Sequence, residues 1–132
     1  MDIVETLKAD YQRFPQDPTY SIYASDVYFW DPLNEFCGLA RYRQMLGFIQ
    51  RWFRDVEMEL HAIRRRGNTI ETEWTLNWTT PLPWRPRIAI PGWSELQLND
   101  AGLIASHVDR WHCSRLNVLK QHLVPGARHN QK

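Results

Sequence analysis

Only two cysteines, Cys37 and Cys113, occur in 132 residues, and they form no C-x-x-C pair. Two are too few for a disulfide framework, so a reducing, cytoplasmic compartment is the expectation. Charge of one sign is also missing. Lys and Arg number 16 against 15 Asp and Glu, a formal +1. Such a balance provides no field to hold phosphates against salt, so no nucleic-acid partner is expected. No apolar run approaches the length of a membrane span, so none is expected. The start, Met1 to Thr6, lacks both a basic n-region and an apolar h-region, so no secretory signal is read there. Repeats and linkers are absent as well. The chain reads as a single domain over residues 1–124 with a polar tail over 125–132. A domain of this size buries roughly 68% of its unfolded surface, enough to fold without metal or disulfide.

What the sequence does have is tryptophan. Seven Trp, five Tyr and five Phe supply large rigid apolar surfaces, for a core or for a pocket wall. Ile3, Leu7, Tyr11 and Phe14 recur at helical spacing across Asp2 to Phe14, and Pro15 stops that helix. Pro18 to Ala24 is ambiguous, with Pro18 placed where a helix could begin. Val27 to Asp31 is a short β-branched and aromatic strand ended by Pro32. Gly38 precedes a second helix, Leu39 to Phe53, whose apolar face carries Leu39, Tyr42, Leu46, Ile49 and Phe53. From residue 55 the period becomes two: Val56, Met58, Leu60 and Ala62, then a turn at Arg66-Gly67-Asn68, then Ile70 to Trp78. A proline-rich loop, Pro81 to Pro86, leads into Arg87–Leu98, a long strand that Pro91-Gly92 should bend or bulge. Asn99 to Gly102 turns into the last strand, Leu103 to Cys113, and Asn117 to Leu123 closes as a helical turn. The order predicts an α+β fold, with helices on one face of a curved antiparallel sheet.

Trp30-Asp31-Pro32-Leu33 ahead of Phe36-Cys37-Gly38-Leu39, and Asn99-Asp100-Ala101-Gly102-Leu103-Ile104 running into Asp109-Arg110-Trp111, resemble the nuclear-transport-factor-2-like superfamily. The likeness covers residues 2 to about 123 and is strongest to an uncharacterised branch from oxygenic phototrophs, including chloroplast proteins. It implies a cone: a strongly bent sheet wrapped around N-terminal helices, with a cavity between them. Ketosteroid isomerases, SnoaL-like cyclases, dehydratases, epoxide hydrolases and proteins without chemistry share that fold, so it does not settle function.

In the isomerases the aspartate of a matching Asp-Pro is the general base, which makes Asp31 the first catalytic candidate. Strand alternation places Asp31 with Val27 and Phe29. An apolar wall there would raise its pKa into a useful range, whereas the plainer reading has it solvated or capping a turn. The position matching the isomerases' oxyanion-binding aspartate holds Ser94, a weaker donor, and Tyr11 is out of register with their helix-borne tyrosine. Steroid isomerisation is therefore disfavoured. His107 and Asp109 share a face of the last strand with Leu103, Ala105 and Trp111 if no bulge intervenes, and could form an oriented acid–base pair. His112 falls on the opposite face, so no metal site is expected. Trp74, Leu76, Trp78, Ile88, Ile90, Ser94 and Leu96 share the inward parity and, with Tyr11 and Trp111, could wall a cavity for a small apolar or aromatic ligand. They could equally just fill the cone. Trp93, Glu95 and Gln97 point outward, where the resemblance implies a homodimer interface.

Two functional classes remain open. One is a small-molecule-binding or structural module. The other is an enzyme without metal or cofactor, an isomerase, cyclase or dehydratase with Asp31 as base and His107 or Ser94 polarising an oxygen. A protein-interaction adaptor using the outer sheet face is a third reading.

Overall fold

Helical spacing in the first third and strict alternation after it resolve into ten elements in the computed structural model, which describes residues 2–125. They run α1 (Ile3–Gln12), a 3-10 turn (Tyr20–Ile22), β1 (Tyr23–Trp30), β2 (Glu35–Cys37), α2 (Leu39–Trp52), β3 (Arg54–Arg66), β4 (Thr69–Thr79), β5 (Arg87–Leu98), β6 (Ile104–Trp111) and α3 (Arg115–Gln121). Apart from Pro125, the polar tail lies outside the described residues. No described helix is long and apolar enough to cross a membrane.

The apolar stripe of α1 buries Leu7, with Ile3, Tyr11 and Phe14 packed around the same cluster. In α2 the buried positions are Tyr42 and Leu46. Gly38 sits at the start of α2 with φ +112°, a conformation that a side chain makes costly, and its amide donates to the Val27 carbonyl at 2.8 Å. That bond ties α2 to β1. The ambiguous piece before Ala24 is a single 3-10 turn, after which Tyr23 already opens β1.

The sheet order is β2-β1-β6-β5-β4-β3. Strands β3 to β6 form the expected antiparallel meander, but β1 lies parallel to β6, with Phe29 beside His107, so the sheet is mixed. A parallel pairing needs a long return connection, and the intervening α2 and meander supply it. Strand β2, not legible in the sequence, is a three-residue edge strand too short to show a period.

Of the bend or bulge expected at Pro91-Gly92, no bulge interrupts the pairing with β4. Strand β4 pairs continuously through Trp74↔Gly92, Thr75↔Pro91 and Leu76↔Ile90. Gly92 serves close packing instead: a Cβ there would stand 2.6 Å from Trp74 Cη2 and 2.6 Å from the Arg110 carbonyl oxygen. The register slips at the other end of β5, between Gln97↔Ser106 and Leu98↔Ile104. This extra residue changes the inward set on β6. Ile104 and His107 are buried, whereas Leu103 and Ala105, expected beside His107, are only half-buried.

Two apolar clusters result. The larger gathers α1, α2 and β1 around Leu7, Phe29, Tyr42 and Leu46. The smaller places Trp74, Trp78, Ile88 and Ile90 under Val118 of α3. Ser114 caps α3 by accepting from the Asn117 amide at 2.9 Å.

Gly92→Ala is expected to destabilise the protein by about 1–3 kcal/mol, the usual cost of overpacking a filled site. Urea denaturation measures it, and an unchanged midpoint would show that the Trp74 ring is free to move aside.

Candidate functional site

Where the two clusters fail to meet, a cavity of about 660 Å³ remains. Sheet alternation builds one wall: Trp74, Leu76 and Trp78 from β4, and Ile90, Ser94 and Leu96 from β5. Tyr11 of α1, Trp111 of β6 and residues of α2 supply the rest. Ile88, expected on this wall, is instead fully buried in the smaller cluster. Parity alone does not separate a wall residue from one sealed beneath α3.

The inner end of the cavity is polar and built from three adjacent strands. Trp74 Nε1 donates to Ser94 Oγ at 2.8 Å, and Ser94 Oγ donates to Asp109 Oδ1 at 2.6 Å. His107 Nε2 reaches the same oxygen at 2.8 Å. An ionised carboxylate only accepts, so Nε2 carries the hydrogen of that contact, and the ring's other nitrogen is Nδ1. That Nδ1 is buried and has no hydrogen-bond partner. The rings of Tyr23, Phe29 and Tyr42 pack around the imidazole with centroids 6.2, 5.0 and 5.7 Å away. The expected pairing of His107 with Asp109 is therefore present. The expected role of Ser94 changes: its proton goes to Asp109 and its lone pair to Trp74, so it positions the carboxylate and has no proton left to polarise a ligand.

Two further hydroxyl pairs complete this end. Tyr11 shares a hydrogen bond with Thr72 at 2.9 Å, and Tyr23 with Tyr42 at 3.1 Å. Burial, helped by the nearby Asp109 charge, pushes the Tyr11 phenol up to about 12. Burial likewise raises Tyr23 and Tyr42, with Asp109 again adding to the shift.

Asp31 stands at the rim, next to the exposed Leu33 and Asn34, which also line the cavity. It lines the cavity, and its Oδ1 also accepts from the Leu33 amide at 2.8 Å and the Asn34 amide at 2.6 Å. Burial raises its carboxyl above the ordinary aspartate value, and the Asp109 charge adds to this, while the Leu33 and Asn34 donors pull the other way.

The sequence left several contributors unassigned. Thr72 is a buried threonine on the inward face of β4, Tyr23 sat in the ambiguous piece, and His122 reaches the cavity from the end of α3. Tyr42 was legible as apolar face but not as half of a hydroxyl pair. Trp84 of the proline-rich loop does not line the cavity; it is half-exposed and donates Nε1 to the His122 carbonyl at 2.6 Å, bracing α3. On the outer sheet face the Arg110 guanidinium lies 5.1 Å from the Trp30 ring and 5.8 Å from that of Trp93. No three His, Cys, Asp or Glu side chains among the described residues are grouped to hold a metal.

Comparison with solved structures finds the same fold. A ketosteroid isomerase-like hypothetical protein from Catenulispora acidiphila, solved with trimethylamine, is 18% identical with a TM-score of 0.73, and the match covers 94% of each chain. An LEH-like epoxide hydrolase of M. tuberculosis is 20% identical at a TM-score of 0.69, over 91% of this chain and 86% of that one. A putative SnoaL-like polyketide cyclase from Shewanella denitrificans is 15% identical at 0.70, over 93% and 98%. The fold is thus nuclear-transport-factor-2-like, and at these identities the likeness extends to fold alone. No curated protein matches the chain in sequence. The profile described as Uncharacterized conserved protein (DUF2358) matches residues 1–107, and the chain belongs to that family.

Proposed function

We infer that the protein binds a small, largely apolar molecule in this cavity, with the molecule's polar end at Asp109. One observation carries this reading: a space of about 660 Å³ has apolar walls, and its inner end holds a carboxylate whose position is fixed by Ser94 and His107. Pockets for small ligands have this make-up, apolar walls with a few placed polar groups. A filled cone would have closed the space with its own tryptophans; here Trp74 and Trp78 stand on the wall.

A neutral apolar dye such as Nile red is expected to bind and shift its emission to the blue. Leu76→Trp, which puts an indole into the cavity, should weaken that binding by about tenfold or more. Failure of the dye and of small neutral aromatics to bind the wild type at millimolar concentration would remove this reading.

A second reading, acid–base catalysis without metal or cofactor, draws on Asp31. Its carboxyl is raised by burial and lies on the same cavity as the His107–Asp109 pair. A base needs such tuning. Because the folded-state value lies above the unfolded one, the protonated form is the one folding favours. The associated stability is fully present below the unfolded pKa and is lost as pH rises through the folded pKa. Asp31→Asn should therefore be neutral or stabilising at neutral pH. In carboxyl-carbon NMR the wild-type Asp31 should titrate above about 3.9, the model aspartate value. A value at or below that mark, with Asp31→Asn destabilising, would end the catalytic reading.

A homodimer through the outer sheet face around Trp93, Glu95 and Gln97 belongs to the same proposal. The Trp30–Arg110–Trp93 stack supports it by presenting flat amphipathic surface there. Trp93→Glu should then sediment as a monomer, and a wild type already monomeric at micromolar concentration would exclude the interface.

A further inference from the structure

Among the described residues, no Lys or Arg side chain pairs with Asp109. Its side chain is only 20% exposed, and its contact with a ring nitrogen is the one to His107 Nε2 at 2.8 Å. Oδ1 is occupied by Ser94 and His107, whereas Oδ2 accepts no hydrogen bond from the described residues. Oδ2 is also absent from the buried side-chain atoms that lack partners, so it stays accessible on a residue that lines the cavity.

Two N–H donors at this end are already engaged. Trp74 Nε1 serves Ser94, and His107 Nε2 serves Asp109 itself. What Asp109 offers a newcomer is a negative charge and an open acceptor oxygen. The charge reaches well into the site: it adds to the upward shifts of Tyr11, Tyr23, Tyr42 and Asp31. Asp10 also lines the cavity, but Arg13 pairs with it at 2.6 Å. The one lining arginine, Arg41, is exposed, with its guanidinium 5.4 Å from the Phe36 ring, and makes no ion pair among the described residues. It stands at the solvent side and leaves the inner end anionic.

A ligand group that pairs with Asp109 Oδ2 must bring a hydrogen-bond donor, and a positive charge gives it the Coulomb attraction that a neutral donor lacks. In a water-poor, apolar-walled space that attraction is stronger than in bulk solvent. Tyr23, Phe29 and Tyr42 add aromatic surface on the same cavity, which favours a cation over an anion. We propose that the cavity selects apolar amines in their ammonium form, with the ammonium group donating to Asp109 Oδ2 and the hydrocarbon part lying against Trp74, Leu76 and Trp78. This rests on the cavity being a binding site, as inferred above.

Three probes of one skeleton separate the two ideas: phenylbutylamine, phenylbutanol and phenylbutyrate, titrated by calorimetry against the whole chain at neutral pH. The amine is expected to bind at least about tenfold tighter than the alcohol, the range of a hydrogen bond to a charged group, and the acid weakest. Asp109→Asn keeps an acceptor oxygen for Ser94 and removes the charge. It should lower amine affinity about tenfold and leave the alcohol unchanged. Should that variant fail to fold, the wild-type order of the three probes still decides. Equal or tighter binding of the alcohol or the acid overturns the amine preference while leaving the cavity reading intact. If none of the three binds, the cavity reading falls and the amine preference with it.

Discussion

One buried chain of hydrogen bonds, Trp74 to Ser94 to Asp109 with His107 joining at the far end, ties the centre of this molecule together. It links β4, β5 and β6 side by side through side chains, in addition to their backbone ladders. Its members depend on one another. Without Ser94 the indole nitrogen of Trp74 would be buried unpaired, and the Asp109 carboxylate would lose a fixed donor. An orphaned buried polar group costs about 1–3 kcal/mol, more when charged, so loss at any one link is felt at the others. Gly92 belongs to the same device, because its missing side chain is what lets the Trp74 ring lie flat enough on β5 to reach Ser94.

The bulge near Ala105 sets which residues of β6 join that chain. Strict alternation from Leu103 would put Leu103, Ala105 and His107 on one face. The slip between Gln97↔Ser106 and Leu98↔Ile104 substitutes Ile104, which seals the larger cluster, while His107 and Asp109 keep the inward side. The parallel pairing with β1 then sets Phe29 against His107 and carries the strand on to Asp31. A carboxylate at the rim and another at the inner end thus follow from one bulge and one parallel pairing.

Most of this architecture was legible as pattern. The stripes of α1 and α2, the two-residue period of β3 to β5, and the inward parity of Trp74, Leu76, Trp78, Ile90, Ser94 and Leu96 all follow from spacing alone. What stayed hidden has physical causes. A three-residue edge strand such as β2 carries no period. A bulge leaves no mark when neither Gly nor Pro signals it, and at Pro91-Gly92 the signal was present but answered to ring packing. Ser94 reads as a free hydroxyl until Trp74 and Asp109 are seen on either side of it. Residues that join the site only through tertiary contact, such as Tyr23 and His122, give no local sign at all, and Thr72 shows inward parity without showing its partner Tyr11.

Asp31 and Asp109 sit in different surroundings on the same cavity. Asp31 is held by the backbone amides of its own turn, yet burial still raises its carboxyl, and the charge of Asp109 raises it further. Asp109 has a hydroxyl and an imidazole as partners and keeps one oxygen open. Separation of two carboxylates by environment is how one site comes to hold an acid and a base together. The coupling also has a sign. Any positive group seated against Asp109 offsets part of the field that Asp31 feels, so it lowers Asp31 toward its ordinary value, and by reciprocity an ionised Asp31 favours that group. Because burial is the larger cause of the Asp31 shift, occupancy at the inner end relaxes it only in part. Asp31 would therefore stay above its ordinary value whether the cavity is empty or filled.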